Sequence, residues 1–282
     1  MEKAVIGRRL NLWTTLRILA LAALVLVWCY PFAWLISASL KGQQEIFSKG
    51  LNLIPEELLI ENYMRAWGAA GFDNYMLNTA LVTIGTVVLV VFHSALSGYV
   101  LGRFQFIGRN MVVGVLAATL VVPVGLTIIP IVDFASALGL TSSRLGIILA
   151  LSGSGQAAAI LLYAGYFRGL PNELAESAQL DGAGFFRTFF SVMLPLAGPV
   201  TATVSVLTFL TAWNSFLIPL VFTFGSPELR TLPVGMLAFV GSNETDWSGM
   251  AAAATISLLP VVVFFFFMQR YFVEGIAGAV KQ

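Results

Sequence analysis

Long apolar runs alternate with short polar stretches along almost the whole chain. A membrane-spanning helix needs about 20 apolar residues, and the interiors of six runs meet this requirement without a single Asp, Glu, Lys or Arg. The runs are continuous and do not alternate apolar with polar positions, so the pattern predicts helices and not the strands of a membrane barrel. The six predicted spans lie near residues 16–40, 77–101, 111–131, 145–167, 200–224 and 250–272.

The composition agrees with a chain that is largely dissolved in lipid. Hydrophobic residues make up 58% of the chain and charged residues only 10%, whereas a soluble protein carries about 25% charged residues. The net charge of +1 comes without any basic tract. Composition and charge therefore point to a membrane protein and give no support to a nucleic-acid partner.

The basic residues predict how the spans are oriented. If the N-terminus is cytoplasmic, the inner segments hold ten Lys and Arg residues and the outer segments hold five. The acidic residues lean the other way, with five inside and nine outside. Because basic residues concentrate on the cytoplasmic side of membrane proteins, we expect both termini in the cytoplasm.

A polar stretch interrupts the apolar pattern between the fourth and fifth predicted spans. Pro171 suits the first position of a helix, Glu173 and Glu176 lie near the positive end of its dipole, and Gly182 can end it in a left-handed turn. The pattern predicts a helix of about ten residues beside the membrane. So short a helix needs a cradle, which is either a groove in another protein or the packed interior of this one.

The spacing around this helix resembles a known motif. From Glu176 the chain reads E-S-A, three residues, Gly182, nine residues, and then V-M-L-P at 192–195. This resembles the EAA motif of permease subunits in binding-protein-dependent ABC importers, with Ser177 and Val192 as mild departures. Further stretches similar to the maltose-type carbohydrate branch are Asp181-Gly182-Ala183, Glu61-Asn62-Tyr63, Gly98-Tyr99, Arg103-Phe104, Ala212-Trp213-Asn214, Arg230-Thr231-Leu232-Pro233 and, in the tail, Gln269-Arg270-Tyr271-Phe272 with Gly278-Ala279-Val280-Lys281.

The resemblance implies a fold and a role for the polar helix. The fold would be an all-α bundle of six transmembrane helices forming one permease domain over 1–282, with a cytoplasmic coupling helix in the loop 168–199. That helix would be seated in a cleft of an ATPase subunit, with Glu176 paired to a basic group there. The residues that the motif assigns to coupling are Glu173, Glu176, Ser177, Ala178, Asp181, Gly182, Leu194 and Pro195.

The resemblance also implies partners and a location. They are a second permease subunit, a dimer of ABC ATPases, an extracytoplasmic solute-binding protein and the cytoplasmic membrane of a bacterium or archaeon. The chain lacks the G-x-x-x-x-G-K-[ST] phosphate loop, so we expect no enzymatic activity, metal or cofactor in it. ATP and Mg²⁺ would be bound by the partner ATPase.

The function implied is import of a sugar or oligosaccharide, and two other functions compete with it. An ion-coupled secondary transporter usually needs ionisable groups within the membrane, and the span interiors offer only His93. A membrane-embedded enzyme would need a catalytic constellation, and the sequence has no H-E-x-x-H and no nucleophile with an evident base. Glycerol phosphate or another small polar solute remains open as the cargo.

A neutral, hydroxyl-rich solute would be handled by aromatic faces and amide groups. Trp213 and Asn214 in the fifth span are the leading candidates for the translocation path, and Asn78 and Gln156 are weaker ones. The alternative for each of them is a hydrogen bond or contact between packed helices.

Overall fold

The computed structural model describes residues 12–279 except 49, 70 and 243. Within that part of the chain the structure is almost entirely helical, and the only strand-like feature is an isolated bridge between Val240 and Thr245. The described residues form two compact units. One unit combines the described parts of Met1–Ala69 and Phe239–Ile256, and the other combines those of Ala70–Ala238 and Ser257–Gln282.

Fourteen α-helices are present among the described residues. They are α1 (Leu12–Ala38), α2 (Gln43–Ser48), α3 (Glu61–Met64), α4 (Phe72–Arg103), α5 (Arg109–Thr119), α6 (Val124–Ala137), α7 (Arg144–Gly169), α8 (Glu173–Leu180), α9 (Phe185–Thr188), α10 (Leu194–Leu196), α11 (Gly198–Trp213), α12 (Leu217–Phe222), α13 (Leu232–Gly235) and α14 (Trp247–Ala279). Short π-helical segments cover Arg65–Ala69 and Phe189–Met193.

Four helices of the described chain are long and apolar enough to cross a membrane. They are α1, α4, α7 and the first part of α14, and they correspond to the first, second, fourth and sixth predicted spans. A fifth span exists if Phe185–Leu196 and Gly198–Trp213 are taken together, although the two are bent by 77°. The structure thus contains four or five such spans by length and composition.

The third predicted span, 111–131, is not one continuous helix. α5 ends at Thr119 and α6 begins at Val124, with Pro123 in an extended conformation at the start of α6. Proline has no N–H to donate to the preceding turn, and it disfavours helical geometry in the residue before it. The run is apolar throughout, but its proline divides it into two shorter helices.

The fifth predicted span, 200–224, is also interrupted. α11 ends at Trp213, Asn214 leaves the helix, and α12 starts only at Leu217. Apolar composition alone does not reveal such a break, since both sides of it are equally hydrophobic.

Close packing of α4 on α7 organises the larger unit. A Cβ atom added at Gly98 would lie 2.3 Å from the Cβ of Tyr163, and one at Gly102 would lie 2.7 Å from the carbonyl oxygen of Ala164. Two glycines four residues apart let helix backbones approach closely in a membrane. This pair of helices carries the cluster of buried aromatic residues described below.

The smaller unit is anchored at the end of α1. Ala38 packs there with Ile46 of α2 and Ala251 of α14. The hydroxyl of Ser37 donates to the carbonyl of Leu53 at 2.7 Å, so the chain after α2 folds back onto the last turn of α1.

Candidate functional site

The polar helix that the sequence predicts after α7 is present in the structure, and it is shorter than expected. α8 has eight residues and begins at Glu173, so the expectation that Pro171 takes the first helical position is wrong. The carbonyl of Asn172 accepts the first helical bonds, from the N–H groups of Ala175 at 3.0 Å and Glu176 at 3.1 Å. The carbonyl of Pro171 instead accepts a hydrogen bond from Arg103.

The helix ends in the left-handed turn expected at Gly182, whose φ is 78°. The Gly182 N–H donates to the carbonyl of Gln179, and the Ala183 N–H donates to the carbonyl of Ala178, both at 2.9 Å. This pair of bonds satisfies carbonyls that a helix end would otherwise leave free. A Cβ at Gly182 would meet no atom within 4 Å, so glycine is favoured here by conformation and not by space.

The two faces of α8 differ in chemistry. Ala178 is buried and Ala175 is half-buried against the core of the larger unit. The opposite face carries Glu173, Glu176 and Leu180, all exposed, and Leu180 keeps 89% of its surface accessible. Ser177 and Asp181 are exposed as well. α8 therefore rests on small residues and presents two carboxylates beside an uncovered leucine.

The segment that follows α8 packs in a cluster of aromatic rings. Tyr99 of α4 is buried, and its ring centroid lies 5.4 Å from that of Phe167, 5.5 Å from that of Phe185 and 5.3 Å from that of Phe189. Such ring pairs add about 0.5–1.5 kcal/mol each beyond the area that they bury. The cluster joins α4 and α7 to the segment that follows α8.

Arg103, in the last turn of α4, connects this cluster to α8. One terminal nitrogen of its guanidinium donates to the carbonyl of Leu170 at 2.7 Å, and the other donates to the carbonyl of Pro171 at 2.8 Å. Both acceptors lie in the short link between α7 and α8. A planar guanidinium can bridge two such acceptors in a fixed geometry, so Arg103 holds this link to the end of α4.

The sequence indicated part of this role of Arg103. Arg103-Phe104 was among the stretches that carried the resemblance, and a basic residue in the last turn of a helix is typical of carbonyl capping. Which carbonyls it caps depends on the packing of α4 on α7, which the sequence does not show.

Leu194 and Pro195 lie where the chain turns into α11. Leu194 is half-buried against the core that includes Tyr99, whereas Pro195 is exposed. The buried Ala197 follows, and its N–H is shared between the carbonyls of Met193 and Leu194, both at 3.1 Å. The 77° bend between Phe185–Leu196 and Gly198–Trp213 falls at this point.

The candidate path residues do not form one cluster. Trp213 is buried and its ring stacks on that of Phe209 at 5.4 Å, beside an apolar cavity that Phe264 also lines. Asn214 is exposed, but its amide donates to the carbonyl of Leu210 in its own helix at 2.8 Å.

Asn78 is completely enclosed. Its amide donates to the carbonyls of Glu228 at 2.7 Å and Arg230 at 3.0 Å, and its oxygen accepts from Arg144 at 2.9 Å. These bonds tie α4 to α7 and to the loop before α13. The helix-packing alternative accounts for every contact that Asn78 makes here, and its place in a path stays a prediction.

Gln156 of α7 forms a polar pair with His93 of α4, with 2.6 Å between the amide nitrogen and Nδ1. His93 is exposed and Gln156 is half-buried, on helix surfaces that are otherwise apolar. An imidazole exposed to lipid would be costly. We therefore expect the pair to face a second protein or water and not lipid.

A feature that sequence reasoning missed is a small cavity of about 160 Å³ among α4, α7 and α11. Four of its lining residues carry hydroxyl groups, namely Thr86, Ser154, Thr208 and Thr211. The hydroxyls of Thr86, Ser154 and Thr211 donate to carbonyls of their own helices, so their oxygens remain available as acceptors. The spacing of Thr208 and Thr211 on one helix face was a signal for it.

Among the described residues, no three His, Cys, Asp or Glu side chains lie close enough together to hold a metal ion. The fold and the site thus define a helical membrane protein with an exposed helix that ends at a glycine and is held against α4 and α7.

This class of protein can be placed in a family. The model of the family described as the binding-protein-dependent transport system inner membrane component matches residues 94–278. The chain belongs to this family, that is, to the permease subunits of ABC importers, and the resemblance found in the sequence is confirmed.

Relatives span nearly the full length of the chain. The diacetylchitobiose uptake system permease protein NgcG of Streptomyces coelicolor is 35% identical, with 92% of this chain and 86% of that protein covered. The melibiose/raffinose/stachyose import permease protein MelC of Bacillus subtilis is 30% identical, with 95% and 97% covered.

A solved structure shares the fold. A chain from the crystal structure of a bacterial ABC transporter involved in the import of the acidic polysaccharide alginate superposes with a TM-score of 0.79. The two chains are 22% identical, and the match covers 94% of this chain and 98% of that one. At this identity the likeness establishes the fold alone.

Proposed function

We propose that this chain is one transmembrane subunit of an ATP-driven importer of a neutral sugar or oligosaccharide. The observation that carries the proposal is α8, an exposed acidic helix ended by Gly182 and held in place by Arg103. NgcG and MelC are named for the uptake of diacetylchitobiose and the import of melibiose, raffinose and stachyose, and this supports the choice of cargo. Membership of the ABC importer family leaves no role for ion-coupled transport.

The topology we propose has six spans with both termini in the cytoplasm. In it, α5 and α6 together make the third span, and α11 with α12 makes the fifth. The distribution of ten basic residues inside and five outside supports this orientation. α8 then lies in the cytoplasm, where an ATPase can reach it.

In the proposed mechanism α8 is the coupling helix and docks in a cleft of an ATPase subunit. Glu173 and Glu176 face basic groups there, and Leu180 fills an apolar part of the cleft. ATP and Mg²⁺ are bound by the ATPase dimer, and this chain contributes no catalytic residue. When the dimer closes, the displacement of α8 passes through Arg103 and the rings around Tyr99 to α4 and α7.

The solute would move between this subunit and a second, homologous permease. The cavity among α4, α7 and α11 presents hydroxyl oxygens, and the exposed pair of His93 and Gln156 presents an imidazole and an amide on the same two spans. These groups suit a hydroxyl-rich solute, which both donates and accepts hydrogen bonds. Asn214 adds an exposed amide at the end of α11.

The test of the function is purification of the whole complex. A tagged chain that is expressed together with its partner subunits should co-purify with an ATPase and a second permease. The ATPase activity of this complex should rise several-fold when an extracytoplasmic binding protein loaded with its sugar is added. The purified chain without the ATPase should hydrolyse no ATP. A binding protein whose bound ligand is an anion such as glycerol phosphate would contradict the assignment of a neutral sugar.

The proposed orientation can be tested by cysteine labelling in intact cells. In a Cys29→Ser background, cysteines at Ser48 and Ser242 should react with a membrane-impermeant maleimide, and a cysteine at Gln179 should not. All three side chains are exposed, so access depends on the side of the membrane. Permeabilised cells provide the control, because all three should then be labelled. Reaction of the Gln179 cysteine in intact cells would reverse the orientation.

A further inference from the structure

The smaller unit contains an open cleft of about 1190 Å³ between α2 and the start of α14. Its chemistry is unlike that of the apolar surfaces elsewhere in the molecule. The side chains that line the cleft include those of Gln44, Phe47, Arg65, Glu244, Trp247 and Ser248. All belong to the same compact unit.

A charged pair connects the two segments that line the cleft. Two guanidinium nitrogens of Arg65 lie 3.0 Å from the two carboxylate oxygens of Asp246, a two-point geometry in which both side chains are held in one orientation. Arg65 also donates to the oxygen of Asn62 at 3.2 Å. The enclosed amide of Asn62 in turn donates to the carbonyls of Ser39 and Lys41 at 2.9 and 3.0 Å.

A glutamine that acts as a backbone mimic makes a second connection between the same two segments. The amide of Gln43 donates to the carbonyl of Thr245 and accepts from the N–H of Trp247 at 2.9 Å. The carboxylate of Asp246 accepts from the N–H of Gly249, also at 2.9 Å. These bonds join two segments of the chain that lie about 180 to 200 residues apart in the sequence, and side chains hold the two segments together, so the cleft is a built feature.

Several lining groups take no part in this framework. The rings of Phe47 and Trp247 meet edge to face at 5.9 Å and remain 63% and 45% exposed. Gln44 and Glu244 are also exposed. Ser248 is 2% exposed, and its hydroxyl has no hydrogen-bond partner among the described residues. A buried hydroxyl without a partner is unusual and gives the cleft a polar group to offer.

The charges and the rings select one class of ligand. Among the described lining residues, Arg65 is neutralised by Asp246 and Glu244 has no ion-pair partner, which makes the site unfavourable for anions. Ring faces suit the C–H faces of a pyranose, and amide and carboxylate oxygens suit its hydroxyl groups. The volume is slightly larger than that of ordinary small-molecule pockets, which is about 300–1,000 Å³.

We propose that this cleft is a binding subsite for a neutral oligosaccharide, which touches the permease here beside the rings of Phe47 and Trp247. The proposal rests on the proposed function, and in the proposed topology the cleft lies on the outer side of the membrane. The subsite would hold the sugar weakly on its way to the spans.

The experiment uses the complete complex in lipid nanodiscs without the binding protein. Saturation-transfer NMR is measured with maltotriose, raffinose and diacetylchitobiose as neutral probes and with glycerol 3-phosphate as the anionic one. We expect transfer to at least one neutral probe and none to the anion. The signal should fall at least tenfold in Trp247→Ala and be partly retained in Trp247→Phe, which keeps a ring at the position.

The matched control is Trp67→Ala. Trp67 belongs to the same unit and is 45% exposed, as Trp247 is, but it does not line the cleft. This variant should keep the full signal. Equal losses in the two alanine variants, no transfer to any neutral probe, or a Trp247-dependent signal from glycerol 3-phosphate would overturn the proposal.

Two further outcomes separate the subsite from the proposed function. In the first, the binding protein carries a sugar, but the Trp247 variant loses only the docking of that protein. The cleft is then a protein-docking surface, and the subsite is refuted while the proposed function stands. If the binding protein carries no sugar, the proposed function fails first, and the subsite fails with it.

Discussion

We expect Glu176→Lys to remove the ATPase from the purified complex and to abolish transport, while the chain still inserts and associates with the companion permease. Glu176 is exposed on α8, so its replacement removes no contact from the interior. A lysine there meets basic groups of the ATPase as a like charge, which can cost several kcal/mol at an interface. It also opposes the dipole at the N-terminal end of α8. Since each ~1.4 kcal/mol is a factor of ten in affinity, pull-down of the ATPase should fall by about a hundredfold or more.

A second variant, at the end of the same helix, tests the backbone conformation of the turn and not the charge of the helix. Gly182→Val places a β-branched residue at φ 78°, a conformation that costs such residues about 1–3 kcal/mol, and it should misplace α8 and also release the ATPase. Gly182→Asn is its control, because asparagine tolerates this conformation. An acidic replacement of the facing residue on the ATPase should rescue Glu176→Lys and not Gly182→Val. Normal ATPase binding and transport by both variants would show that α8 is only a packed loop.

Arg103→Ala should have a different effect, namely ATPase retained but transport reduced at least tenfold per ATP hydrolysed. The replacement removes two charge-assisted hydrogen bonds, to the carbonyls of Leu170 and Pro171, each worth about 1.5–3 kcal/mol. The exposed face of α8 stays intact, so docking survives. The link between α8 and α4 is lost, and hydrolysis proceeds with little movement of the spans. The measurement is the ratio of sugar imported to ATP hydrolysed in proteoliposomes.

The matched control for this variant is Arg168→Ala. Arg168 is exposed in the last turn of α7, so its removal takes away a nearby guanidinium and leaves the bonds of Arg103 unchanged. Arg103→Lys should be intermediate, since an ammonium cannot reproduce the two-point geometry. If Arg103→Ala keeps the wild-type ratio, or if Arg168→Ala lowers it as much, α8 does not act through Arg103.

Much of the architecture could be read from the sequence because lipid imposes a simple rule on the chain. A helix that spans a bilayer must be apolar along its length, and α1, α4, α7 and α14 obey this rule without interruption. The turn at Gly182 was equally legible, since a glycine after a short polar helix points to a left-handed ending.

The breaks in the third and fifth predicted spans could not be predicted from the sequence in the same way. Pro31 and Pro260 lie inside continuous helices, whereas Pro123 stands at a break between two. The same residue type therefore gives opposite results, because neighbouring helices and local packing decide whether freed backbone groups are satisfied. A proline in an apolar run marks a possible break and does not decide it.

The contacts of polar residues were the hardest part to foresee. Asn78 and Gln156 were candidates for the path as single residues, but Asn78 bonds to residues 66 to 152 positions away and Gln156 to one 63 positions away. Such partners are set by the packing of α4 on α7 and, for Asn78, also by the packing of α4 on the loop before α13. The hydroxyl-lined cavity has the same origin, because its residues come from three helices.

The segment from Phe185 to Leu196 gives the number of residues in the EAA motif a geometric meaning. This segment is helical throughout, and in an α-helix each residue turns the chain by about 100°. Phe185 and Phe189 stand four residues apart and both lie against Tyr99. One residue more or fewer between Phe185 and Phe189 would rotate one of the two rings away from Tyr99, and one between Phe189 and Leu196 would re-aim the 77° bend. Distance counted along the sequence is here an angle, and the motif specifies the direction in which the chain enters α11.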